Sequence, residues 1–178
     1  YRSRAAFKLI ELNKKYNFIN KNTKLLDIGA YPGGWSQVAS KIITIGKILS
    51  LDIKKMDKLK NVTFLQCNFL EEQAKEKIID LCGEKLNVVL SDMAADTTGN
   101  KSLDCIRTNQ LCIDVINFSS LVLKSNGFLV SKLFMGDDFL EVKQLAKSKF
   151  KKVQFFKPEA SRNESKETYL CCSNLKTL

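Results

Sequence analysis

The 178-residue chain carries 29 Lys and Arg against 19 Asp and Glu, a net charge of +10, and it has no histidine. The length suits one domain with a proper core. No apolar run approaches the roughly 20 residues that span a bilayer, and the missing imidazole excludes Ser-His-Asp and Cys-His catalysis.

Apolar periodicity predicts alternating helices and strands. The first helix covers residues 3–16, with Ala6, Leu9, Ile10 and Leu12 among its apolar positions. Strand 24–28 ends in a glycine-rich turn, and helix 35–43 follows. Strands 47–51 and 62–66 precede a helix at 71–81; strand 86–91 precedes a polar loop at 94–103 and a helix at 104–123. Strand 127–134, helix 137–148 and strands 153–156 and 168–172 complete the pattern. Such alternation implies an α/β, Rossmann-like fold: a mostly parallel seven-stranded sheet with helices on both faces. Residues 157–166 are too short for a parallel crossover, so the last strand is expected to be antiparallel. No linker or repeat interrupts the pattern, and one domain over 1–178 is expected.

The six cysteines, Cys67, Cys82, Cys105, Cys112, Cys171 and Cys172, form no CxxC pair. Zinc-site spacing is absent, no metal is expected, and the cysteines read as small core residues in a reducing intracellular compartment. No secretory signal is visible, the chain opens on Tyr1, and mitochondrion and cytoplasm both stay open. The positive charge points to a polyanionic partner, nucleic acid before a membrane surface, because no basic amphipathic helix stands apart from the fold.

The turn Gly29-Ala30-Tyr31-Pro32-Gly33-Gly34 sits at the carboxyl end of the first strand, where open sheets bind ligands. Glycines at 29, 33 and 34 permit positive φ and close approach of a ligand to the backbone, although a plain strand–helix turn would also use them. Asp52 closes the second strand 23 residues after Gly29, near the spacing at which a carboxylate grips a ribose diol. Asn68 closes the third strand, either reading an adenine edge or making a turn. The turn lacks the GxGxxG order, and Pro32 removes an N–H that a pyrophosphate would use. An adenosyl ligand without phosphates, such as S-adenosylmethionine, therefore fits better than a nicotinamide dinucleotide.

Four charged residues recur at strand ends or in the first helix: Lys8, Asp92, Lys132 and Glu167. Lys132 lies inside the apolar run Phe128-Leu129-Val130-Ser131-Lys132-Leu133-Phe134, where an unpaired ammonium would be costly.

Segments 1–8, 27–37 and 91–94, the Ser131-Lys132 strand and Lys157-Pro158-Glu159-Ala160-Ser161-Arg162 together resemble the FtsJ/RrmJ family of RNA 2′-O-ribose methyltransferases nearly end to end. The resemblance implies a catalytic tetrad at Lys8, Asp92, Lys132 and Glu167. It also implies an S-adenosylmethionine site at Gly33, Trp35, Asp52, Asn68 and Asp92, to which Gly29 and Gly34 of the turn also belong. Tyr31 stands where the family usually has alanine, and Asn68 where an acid is common. Residues 91–94 and 157–162 look like the single-domain large-subunit rRNA branch, whose usual target is a uridine; tRNA and mRNA-cap methylation are the alternatives. A non-catalytic RNA-binding module is the alternative from another class. Lys132 is expected as the base or the orienting group, and Arg2, Arg4, Lys157, Arg162 and Lys166 as phosphate contacts. The expected partners are rRNA or an assembled large subunit, with the protein a monomer.

Overall fold

The computed structural model describes residues 1–177. In chain order its elements are α1 (Ala5–Tyr16), β1 (Lys24–Ile28), α2 (Gly34–Ile42), β2 (Lys47–Asp52), β3 (Val62–Gln66) and α3 (Glu72–Cys82). There follow β4 (Leu86–Ser91), α4 (Lys101–Val122), β5 (Leu123–Phe134), α5 (Phe139–Lys149), β6 (Phe150–Phe156) and β7 (Glu167–Leu175). The seven strands form one sheet in the order β3-β2-β1-β4-β5-β7-β6. Strands β1 to β5 run parallel, and β7 pairs antiparallel with both β5 and β6. Strand order reverses between β1 and β4, which opens a crevice at their carboxyl ends.

Adjacent strand residues point to opposite faces, and the core divides accordingly. Leu25, Val88 and Val130 pack with Ala6, Leu9 and Leu12 of α1 and Val38 and Ala39 of α2. Their sequence neighbours Leu26, Val89 and Leu129 pack on the other face with Ile78, Val115, Ile116 and Val142 of α3, α4 and α5. Helix α1 buries Ala6, Leu9 and Leu12 along one stripe and stops at Asn17, whose left-handed backbone donates its N–H to Asn13.

The largest differences from expectation at element ends have local reasons. Helix α4 begins at Lys101 because Asn100 caps it by accepting the Leu103 N–H, while Asp104 accepts the N–H and hydroxyl of Thr98. Strand β5 begins at Leu123, which pairs with Leu86 before a register shift leads to the Val88–Phe128 pair. Strand β7 runs on to Leu175 because β6 starts earlier, at Phe150, and pairs there. All six cysteines are free, with Cys112, Cys171 and Cys172 buried. Among the described residues no helix is long and apolar enough to cross a membrane, and no cluster of acidic, Cys or His residues could hold a metal.

Candidate active site

Asp92 follows the last residue of β4, Lys132 lies near the carboxyl end of β5, and antiparallel β7 starts with Glu167 at that same end. Pairing β5 with both β4 and β7 therefore gathers three charged residues that are distant in sequence. Lys8, on the second turn of α1, reaches them from above the sheet: its Nζ lies 2.6 Å from Glu167 Oε1. Lys132 Nζ lies 3.2 Å from Asp92 Oδ1 and 3.7 Å from Glu167 Oε2. Two cations thus alternate with two carboxylates, which is how a lysine can stand within an apolar strand.

Two further residues, not singled out from the sequence, complete the cluster. The fully buried Tyr169 hydroxyl is 2.6 Å from Asp92 Oδ1 and 3.0 Å from Glu167 Oε1, and donates to one of them at a time. Ser161 donates its hydroxyl to Glu167 Oε1 at 3.2 Å. Period-two spacing from Glu167 marks Tyr169 as sharing its face, a signal the sequence does contain.

Burial opposes the charge on Lys132, but Asp92 and Glu167 outweigh it and hold the pKa above the ordinary lysine value. Burial likewise raises Glu167, and Lys132 and Lys8 more than offset this, so the carboxyl falls below its ordinary value. Burial, then the two carboxylates, pushes the Tyr169 phenol well up and keeps it a donor. Near neutrality Lys132 is therefore an ammonium and Glu167 a carboxylate.

Across the crevice, Asp52 ends β2 with each carboxylate oxygen accepting one backbone N–H, from Tyr31 at 2.9 Å and Lys54 at 2.8 Å. Each oxygen keeps a free lone pair for a further donor. Asn68 is exposed and makes a turn, its Oδ1 accepting the Leu70 N–H, which leaves its amide nitrogen available.

Gly29 and Gly33 have the positive φ expected of them, and all three glycines adjoin packed side chains. A Cβ on Gly29 would meet the Met93 side chain at 2.3 Å, one on Gly33 would meet Arg2 and Met56 at 3.0 to 3.1 Å, and one on Gly34 would meet Ser3 Oγ at 2.3 Å. The Cβ space they open is filled by the chain's own residues; Gly29 and Gly33 have φ of +73° and +117°. Trp35 is buried, its indole N–H donating to Ala5 O at 2.7 Å and its ring packed on Tyr169. It fastens α2 to α1 and offers no side-chain donor to a ligand. Beneath the turn, buried Asp27 accepts the Ser36 hydroxyl, which also bonds Ser50. Burial raises the Asp27 pKa to about 7, against a lowering from Ser36.

Two of the five expected phosphate contacts are occupied. Arg2 donates its guanidinium to the carbonyls of Pro32, Asp57 and Lys58, tying the chain start to the turn. Lys157 Nζ donates to the carbonyls of Ser165 and Glu167. Arg4, Arg162 and Lys166 are exposed, and none of their cations pairs with a described residue. Cavities of about 400 and 530 Å³ open at the amino ends of the strands, lined in one case by Asn20, Asn87 and Phe128 and in the other by Lys24, Lys47 and Cys82. Neither touches the charged cluster, which lies at the opposite end of the sheet.

This chain matches the FtsJ-like methyltransferase family over residues 1–175. It is 41% identical over 176 residues to ribosomal RNA large subunit methyltransferase E of Pelagibacter ubique, covering 99% of this chain and 87% of that protein. To the protein of the same name from Rickettsia akari it is 44% identical over 182 residues, covering 99% and 80%. A Plasmodium falciparum crystal structure, provisionally named a ribosomal RNA methyltransferase, superposes with TM-score 0.86 at 33% identity and 98% coverage of both chains. A Streptococcus mutans structure in complex with SAH shares the fold, with TM-score 0.59 at 14% identity and 93% and 97% coverage. The chain belongs to the FtsJ-like methyltransferase family.

Proposed function

We propose that this protein methylates rRNA, transferring a methyl group from S-adenosylmethionine to the ribose 2′-hydroxyl of a large-subunit uridine. Lys8, Asp92, Lys132 and Glu167 form the proposed catalytic group. The observation that carries this reading is Lys132, an ammonium held between two carboxylates at the carboxyl end of the sheet. Membership in the family and the names of the relatives support the substrate class.

The donor set facing the crevice fits an adenosyl cofactor. Asp52 retains acceptor capacity for a diol, and the exposed Asn68 amide can meet a base edge. Once bound, S-adenosylmethionine supplies an electrophilic methyl on a sulfonium. Asp52 and Asn68 would hold its adenosine end. The turn contributes through its fixed backbone, since its Cβ spaces are filled from within.

Lys132 donates to the 2′-oxygen, places it in line and stabilises negative charge as it develops. As an ammonium it is the orienting group and not the base. The cofactor would supply the methyl, and the attacking hydroxyl would have to give up its proton. Asp92 and Glu167, both facing Lys132 Nζ, are the acceptors at hand. Lys8 and Tyr169 keep Glu167 and Asp92 aimed.

The test is methylation of isolated large subunits with 2′-O-methyl sites mapped, comparing wild type, Lys132→Ala and Lys132→Arg. Turnover is expected to fall by about 10³-fold or more in Lys132→Ala, while calorimetry shows unchanged S-adenosylmethionine affinity. Lys132→Arg keeps the charge and the fold but misplaces the donor, and is expected to be nearly as inactive. Retained turnover would reject the role of Lys132; methylation of tRNA or capped mRNA but not of subunits would reject the rRNA substrate.

A further inference from the structure

Lys8 and Glu11 stand three residues apart on α1 and so project to the same side of the helix. Both reach the connection between β6 and β7. Lys8 takes Glu167 where the connection ends. Glu11 takes its middle: one carboxylate oxygen accepts the Glu159 N–H at 2.7 Å and the other the Ala160 N–H at 2.8 Å. Two consecutive backbone N–H groups converging on one carboxylate make an anion nest, filled here by the chain's own acid.

The residues beyond the nest turn inward and then outward. Ser161 is buried, its N–H donating to Pro158 O at 3.0 Å and its hydroxyl to Glu167. Arg162 follows, exposed and with its guanidinium lacking a described partner, and Lys166 precedes Glu167 with its ammonium in the same condition. Lys157 closes the base through the carbonyls of Ser165 and Glu167. The connection is thus anchored to the chain itself at several points, Ser161 among them buried, while its two unpaired cations are exposed next to the charged cluster.

We propose that Glu11 is a positioning residue for RNA: by filling the 159–160 nest it fixes the β6–β7 connection as a rigid brace presenting Arg162 and Lys166 to an RNA phosphate beside Glu167. This rests on the RNA-methylating function proposed above. A brace ordered beforehand spares the RNA the entropy of ordering it. The internal carboxylate also denies the nest to a phosphate, which would otherwise bind the connection out of register.

The experiment uses the whole protein and large subunits as substrate, with three readouts: RNA KM and kcat, S-adenosylmethionine Kd, and amide exchange at residues 159 and 160. Glu11→Ala is expected to raise the RNA KM about ten-fold, the scale of one charge-assisted hydrogen bond. Its kcat stays within about three-fold, cofactor Kd is unchanged, and exchange at the two amides speeds up. Glu11→Gln keeps one acceptor but sets an NH₂ against the other amide, and falls between; it carries the test if Glu11→Ala does not fold. Arg162→Ala is expected to raise the RNA KM without altering exchange at 159 and 160. Faster exchange with an RNA KM within two-fold of wild type would overturn the proposal. If Arg162→Ala and Lys166→Ala also leave RNA KM unmoved, the RNA reading of this surface is what fails.

Discussion

The turn after β1 and the charged cluster at the ends of β4, β5 and β7 face each other across one crevice, yet different forces hold them. The turn is set by backbone: positive φ at Gly29 and Gly33, side chains seated in the glycine gaps, and amide N–H groups closing on Asp52. The cluster is set by side chains from four elements, including a pair separated by 159 residues in the sequence, and balances charge against burial. A backbone-built site holds shape whatever its charge state, so it suits binding. A side-chain cluster of opposed charges fixes protonation, so it suits chemistry. Substitutions on the two sides should accordingly move different kinetic quantities.

The sharpest contrast comes from Asp52→Ala. Losing a charged acceptor is expected to weaken S-adenosylmethionine binding by about 10- to 100-fold, with kcat at saturating cofactor within a few-fold of wild type. A fall in kcat alone, read by steady-state kinetics beside calorimetry, would erase the division. On the other side, Tyr169→Phe keeps the ring against Trp35 and removes only the hydroxyl. Glu167 retains Lys8 and Ser161 as donors, so kcat is expected to drop only about three- to ten-fold, with cofactor Kd unaltered.

The smallest effect concerns Asp27, beneath the turn. Its pKa is about 7 in the folded chain against 3.8 for the ordinary group, so between those values the folded state binds more protons. Its contribution to stability is full below about pH 4 and is lost as the pH rises toward 7. Asp27→Asn, which keeps an acceptor for Ser36, is expected to raise Tm by roughly 5 °C at pH 8 and little at pH 4. Scanning calorimetry at the two pH values gives the comparison; equal shifts at both would show that the buried charge is not the cause.

Much of this was legible in the chain, for reasons that also explain the gaps. Strands β1, β3 and β4 fall where their apolar runs lie, since each run is bounded by polar or glycine residues. The four charges were legible through family resemblance, and Lys132 also through its cost in an apolar strand. The carbonyl partners of Arg2 and Lys157 were not legible, because no residue type signals a backbone carbonyl. Glu11 escaped notice for the same reason, its partners being the N–H groups of Glu159 and Ala160. Ser161 and Tyr169 bond groups on other elements or across a turn, where only the fold supplies the meeting point. Glycine spacing identified the turn correctly, yet what fills the gaps is decided by α1 and β4.

That filling has a consequence for precision. Met93, seated on Gly29, directly follows Asp92, while Ser3 and Arg2, seated on Gly34 and Gly33, lead into the helix that carries Lys8. One short turn is thus the shared datum from which both halves of the crevice are measured. A small displacement of that turn carries Asp92 and the root of α1 along with it, so the error is common to both sides and their separation is preserved.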